Sequence, residues 1–128
     1  MAKREFRVGL IGFGKRGARI LSAWKEIPNV KIAGIAEIDK IKRENAQKEY
    51  QCPIFNSGDE LLSDAELDVV IIATQVGEHY KNVMVAARSG VNILCEKPMA
   101  LSLKEADEIV RAAAKKKLLF GVYNQGVF

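Results

Sequence analysis

The stretch Val8-Gly9-Leu10-Ile11-Gly12-Phe13-Gly14-Lys15-Arg16-Gly17 decides the fold. Its first half is apolar and reads as a strand over residues 6–11. Its second half is a G-x-G-x-x-G loop, and behind it Gly17, Ile20, Leu21 and Trp24 recur at i, i+3, i+4 and i+7, the period of a helix face. A glycine loop between a strand and a helix is the context in which this motif carries a mechanism. Gly12 permits the tight turn, Gly14 lets backbone approach a pyrophosphate, and Gly17 lets the helix pack closely on the sheet. The helix start then offers unpaired N–H groups and a partial positive charge to phosphate. Phe13, Lys15 and Arg16 complete the loop, with Arg16 adding charge at its mouth.

The motif has a second half. A carboxylate about 20 residues on, at the end of the next strand, accepts hydrogen bonds from the adenosine ribose. Glu37 stands 20 residues after Gly17 and closes the apolar run 32–36. It would repel a 2′-phosphate, so the expected cofactor is NAD. NADP is the alternative, because Lys40, Lys42 and Arg43 follow closely. Asp39 is the other acidic candidate, and it also suits the N-cap of a helix.

Outward from this centre, strands alternate with helices. Residues 30–36 form a second strand. Residues 40–50 form a polar helix anchored by Ile41, Ala46 and Tyr50, and residues 53–55 a short third strand. Ser57-x-x-Glu60 and Ser102-x-x-Glu105 are capping boxes that open two helices. The unbroken apolar run 69–73 fits a strand covered on both faces. The next helix shows Tyr80, Val83, Met84 and Ala87 on one face and stops at Gly90. Residues 92–95 are a fifth strand. A helix with Ala106, Ile109, Val110 and Ala113 inward leads to a sixth strand at 118–123. Strands separated by helices mean βαβ units. The expected fold is α/β: a doubly wound, mostly parallel six-stranded sheet of order 3-2-1-4-5-6, of the Rossmann type.

Composition sets the outer limits. The 128 residues suit one domain, 1–128. With 48% hydrophobic and 28% charged residues, the chain is built like a globular protein. No apolar run approaches the roughly 20 residues that a membrane helix needs. Net charge is +4, yet only 7% of residues are aromatic. Lys115-Lys116-Lys117 falls where a helix should end, which suits the helix dipole. Neither a nucleic-acid partner nor a membrane is expected. Two cysteines and a single histidine, His79, do not make a metal site, and none is expected. Free thiols without an export signal fit the cytoplasm.

Cys95-Glu96-Lys97-Pro98 follows the fifth strand, at the sheet end where ligands bind. A lysine there suits passing a proton to or from a substrate hydroxyl, and it equally suits a solvated loop. Taken with residues 8–14, Ile72-Ala73-Thr74, His79 and Ala87-x-x-Gly90, this segment resembles the amino-terminal half of the glucose–fructose oxidoreductase / inositol dehydrogenase / MocA (Gfo/Idh/MocA) family. The resemblance covers residues 5 to 124 and implies an NAD(P)-dependent oxidoreductase acting on a sugar, cyclitol or similar hydroxy compound. It implies that Glu96 and Lys97 line the nicotinamide site, with Lys97 as the catalytic residue, and that Thr74, Gln75 and His79 border the cofactor. His79 could equally be a packed helix residue. Gln75 and Val76 depart from the proline and asparagine frequent in the family. Residues 123–128 lack its usual arginines. The family's C-terminal α+β substrate domain has no counterpart in these residues. The chain is therefore expected to bind cofactor but not turn over, with a polyhydroxy substrate held only when the second domain is present. Apolar residues near 118–128 are expected to drive self-association, with a disordered C-terminus. The alternatives are a stand-alone NAD-binding sensor module and an interaction domain without cofactor.

Overall fold

The computed structural model describes residues 4–123. Eleven elements alternate without exception: β1 (Phe6–Ile11), α1 (Lys15–Trp24), β2 (Val30–Ala36), α2 (Lys40–Glu49), β3 (Ile54–Phe55), α3 (Gly58–Asp64), β4 (Val69–Ile72), α4 (Val76–Arg88), β5 (Asn92–Glu96), α5 (Leu103–Lys115) and β6 (Phe120–Tyr123). The six strands form one sheet in the order β3-β2-β1-β4-β5-β6. Every pairing is parallel. This is the doubly wound order expected from the sequence, and it places the winding reversal between β1 and β4.

Helices cover both faces, so the strands sort their side chains by period two into two cores. On one side Val8, Leu10, Ile35, Val69 and Ile71 pack with Ile20 and Leu21 of α1 and Ala46 of α2. On the other side Ile11, Ala36, Val70, Ile72 and Ile93 pack with Leu61 of α3, Val83, Ala86 and Ala87 of α4 and Ile109 of α5. The run 69–73 is unbroken because alternate residues feed opposite cores, and Val70, Ile71 and Ile72 are essentially inaccessible.

The helix starts follow local chemistry. Asp39 caps α2 by accepting from the Lys42 N–H, and Ser57 and Ser102 cap α3 and α5 by accepting from Glu60 and Glu105. In the second capping box the Glu105 carboxylate reaches back to the N–H of Leu101, one residue before the cap. Lys117 then ends α5 with a positive φ of 56°.

Two expectations about side chains are corrected. Ile41 does not anchor α2; it is exposed, and Ala46 and Tyr50 carry the contact. Val110 of α5 is also exposed, leaving Ile109 and Ala113 as its buried residues. The expected face of α4 holds: Val83 and Ala87 are buried, and Tyr80 and Met84 pack partly buried against the same core. His79, Asn82 and Ala86 are buried beside them, and Tyr80 donates a hydrogen bond to Glu108 of α5. Residues 124–128, which carry the expected C-terminal disorder and part of the expected apolar surface, lie outside the described residues. No helix among the described residues is long and apolar enough to cross a membrane.

Candidate functional site

Every residue singled out for chemistry follows the carboxyl end of a strand, on one edge of the sheet. Gly12 to Gly17 follow β1, Glu37 follows β2, Thr74, Gln75 and His79 follow β4, and Glu96 and Lys97 end or follow β5.

The glycine loop is built tightly on its inner side. Gly12 has a φ of +102°, and a methyl group there would stand 2.7 Å from the Ala73 carbonyl oxygen. A methyl group at Gly17 would stand 1.9 Å from the Gly12 carbonyl oxygen. Both glycines are therefore demanded by packing. Gly14 differs. Its φ of −82° suits any residue, and an added carbon would meet nothing closer than Lys42 Nζ at 3.9 Å. Among the described residues nothing else comes within 4 Å of that position. Gly14 is the N-cap of α1, and no side chain caps the helix there. The first N–H groups of α1 thus open onto free space, a setting that suits phosphate.

Glu37 is buried. One carboxylate oxygen accepts from the Phe13 N–H at 2.7 Å and the other from the Asp39 N–H at 2.9 Å. The carboxylate thereby ties the glycine loop to the β2–α2 turn. Each oxygen keeps a further lone pair for a ribose hydroxyl. Asp39 caps α2 instead. Phe13 contributes its backbone, since its ring is buried edge-on to Tyr50 with centroids 6.0 Å apart. Of the three cations beyond Glu37, Arg43 donates to the carbonyls of Glu37 and Ile38. Lys42, with Lys15 and Lys48, lines a cavity of about 360 Å³ between α1 and α2.

On the other side of the crevice, His79 is fully buried. Nδ1 lies 2.8 Å from the Pro98 carbonyl oxygen and Nε2 lies 2.8 Å from that of Thr74. The imidazole clamps the turn after β4 to the turn after β5, where the Lys97–Pro98 peptide is cis. The Thr74 hydroxyl is buried beside the glycine loop and has no hydrogen-bond partner. Gln75 and Lys97 are exposed. Glu96 is buried and accepts from Arg16 Nη1 at 2.9 Å. Sequence reasoning missed this pair and the His79 clamp, because neither contact has a local signal in the chain. Glu37, Gly14 and Thr74 follow β2, β1 and β4, three neighbours in the sheet, and so form a line along which an extended ligand could lie.

Comparison with known proteins agrees. The Gfo/Idh/MocA family profile, described as an oxidoreductase family with an NAD-binding Rossmann fold, matches residues 6–124. The chain is 33% identical over 111 residues to 2,7-anhydro-N-acetylneuraminate hydratase of Mediterraneibacter gnavus, covering 87% of this chain and 29% of that protein. It is 28% identical over 122 residues to scyllo-inositol 2-dehydrogenase (NADP(+)) of Bacillus subtilis, covering 92% of this chain and 33% of that protein. Among solved structures, the WlbA dehydrogenase from Chromobacterium violaceum, in complex with NADH and UDP-GlcNAcA, superposes with a TM-score of 0.90 at 25% identity. That match covers 96% of this chain and 36% of the other. The chain thus spans about a third of the length of the curated relatives it matches. A family profile that covers nearly the whole chain, joined to the strand-end site just described, establishes that this chain belongs to the Gfo/Idh/MocA oxidoreductase family as its NAD-binding Rossmann domain.

Proposed function

We propose that this domain holds the nicotinamide dinucleotide of a longer oxidoreductase that acts on a sugar, cyclitol or similar hydroxy compound. The observation that carries the reading is the open space over Gly14 at the start of α1, in line with Glu37 on one side and Thr74 on the other. The backbone of residues 12–17 and Arg16 would receive the diphosphate, and Glu37 the adenosine ribose. Thr74, Gln75, Glu96 and Lys97 would border the nicotinamide half, with His79 holding the two turns that carry them. The bound cofactor supplies a hydride acceptor. Lys97, exposed at the end of β5, would hold or move the proton of the substrate hydroxyl, and it is the one catalytic residue assigned here. Glu37 favours NAD over NADP, because a carboxylate at that position repels a 2′-phosphate.

The substrate class rests on the relatives, whose names describe a sialic acid derivative, an inositol and a nucleotide sugar. Hydride transfer also requires substrate held against the nicotinamide. A substrate domain beyond residue 128 would supply that, and the relatives are about three times as long as the match. The domain alone should therefore bind cofactor without turnover; its two free thiols suit the cytoplasm, and its exposed apolar residues suit self-association.

Calorimetric titration with NADH and NADPH tests the reading. NADH should bind with a 1:1 stoichiometry and more tightly than NADPH. Absence of binding at millimolar NADH would overturn it, and tighter binding of NADPH would overturn the role given to Glu37.

A further inference from the structure

The Arg16–Glu96 ion pair crosses the crevice. Arg16 belongs to the first turn of α1, behind β1, whereas Glu96 ends β5. β4 lies between those strands, so the pair bridges over the end of β4, beside the winding reversal. The two ends differ in setting. The Glu96 side chain is 5% exposed and the Arg16 side chain 65% exposed. A buried carboxylate needs a cation or several donors, and Arg16 is the side-chain partner Glu96 has among the described residues. Arg16 meanwhile stands between Gly14 and Gly17, where the start of α1 opens onto free space. Its guanidinium has five N–H donors in a planar fork that matches phosphate as well as carboxylate.

We propose that Glu96 is a built-in competitor for the cofactor: the Arg16–Glu96 pair is a latch across the crevice that the dinucleotide's diphosphate opens by drawing Arg16 from carboxylate to phosphate. The proposal rests on the reading of the site given above. In the closed state Glu96 neutralises the charge that would greet the diphosphate. In the open state Glu96 loses its cation next to Lys97, so cofactor binding changes the charge around that lysine. Affinity for the diphosphate is then set by the difference between two partners of one guanidinium.

The test is calorimetry with ADP-ribose and with adenosine, on the wild-type chain, Glu96→Gln, Arg16→Met and the double variant. Removing the competitor should tighten ADP-ribose binding about fivefold, within the coupling range of contacting charges. Arg16→Met should weaken it about tenfold, as expected for loss of a charge-assisted contact. In the Arg16→Met background, Glu96→Gln should change nothing. Adenosine, which has no phosphate, should bind all four chains alike. A gain from Glu96→Gln that persists without Arg16 would mean simple charge repulsion and would overturn the latch. So would no gain in the single variant. Failure of the wild-type chain to bind ADP-ribose at all would instead overturn the site itself. Side-chain 15N spectra of Arg16 in the unaltered chain give a check free of folding effects. The signal should move with ADP-ribose and stay still with adenosine, and the reverse would overturn the proposal.

Discussion

A methyl group at Gly17 would sit 1.9 Å from a backbone oxygen, and neither partner is a flexible side-chain tip. Gly17→Ala should therefore force α1 away from the sheet and cost at least the roughly 1–3 kcal/mol typical of overpacking. Gly14→Ala meets open space and should leave stability within about 1 kcal/mol, the scale of an N-cap change. It should nonetheless weaken NADH at least about tenfold, since the new carbon occupies the approach to the diphosphate. Urea unfolding and calorimetry on the two variants separate a glycine kept for packing from one kept for a ligand. The thiols give a second residue-scale expectation. Burial pushes Cys52 up to about 11, and burial with the neighbouring Glu96 charge pushes Cys95 up to about 12, from an ordinary value of 9.0. Both should be protonated and slow toward thiol reagents at neutral pH, with Cys95 the slower. Above about pH 9 the unfolded thiols ionise while the folded ones keep their protons, so the unfolded state binds fewer protons and stability falls. Urea midpoints should drop from pH 8 to pH 10, and Cys52→Ala should flatten part of that drop.

At the scale of elements, the His79 clamp joins the turn before α4 to the turn after β5. His79→Leu keeps the bulk and removes both ring nitrogens. It should leave the carbonyl that the ring N–H serves, Thr74 or Pro98 according to the tautomer, short of its donor, at about 1–3 kcal/mol if it stays buried. Amide exchange should quicken at residues 74–76 and 97–101 while β1 stays protected. Uniform exchange across the chain would show that the ring serves the core alone. This is also where the sequence was least legible. Strand runs, capping serines and the glycine loop are local signals, and each element appeared close to where they pointed. Val83 and Ala87 of α4 were legible from their period, with Tyr80 and Met84 beside them, whereas the burial of polar His79 and Asn82 was not. The His79 ring meets the Pro98 carbonyl from a turn 19 residues away, a contact that periodicity cannot see. The Arg16–Glu96 pair escaped for the same reason, whereas Gly12 to Gly17 and Glu37 were legible because one motif holds both halves of their chemistry.

At the scale of the whole molecule, several large apolar side chains outside the crevice-lining set stand in solvent. Leu101 and Leu103 at the start of α5, and Leu119 and Val122 around β6, are 42% to 89% exposed. Large apolar side chains in solvent favour partners where they adjoin one another. The isolated domain should elute from gel filtration with light scattering above monomer mass at about 100 μM, a concentration suited to weak contacts of micromolar strength. Leu103→Lys with Leu119→Lys should return it to monomer. A monomer before substitution would remove the expectation of self-association.

The position of β1 has a consequence in time. It is made before both of its neighbours, β2 and β4. The second flank stays open until residues 69–72 arrive. At synthesis rates of about 5–20 residues per second, that is a wait of roughly 3–12 s. Throughout it, the unpaired N–H and C=O groups along Val8 to Ile11, between apolar side chains, are available to any passing strand. A nascent chain that stalls before β4 would carry the cofactor loop already translated but its supporting strand half paired, the condition in which holding by a chaperone matters most.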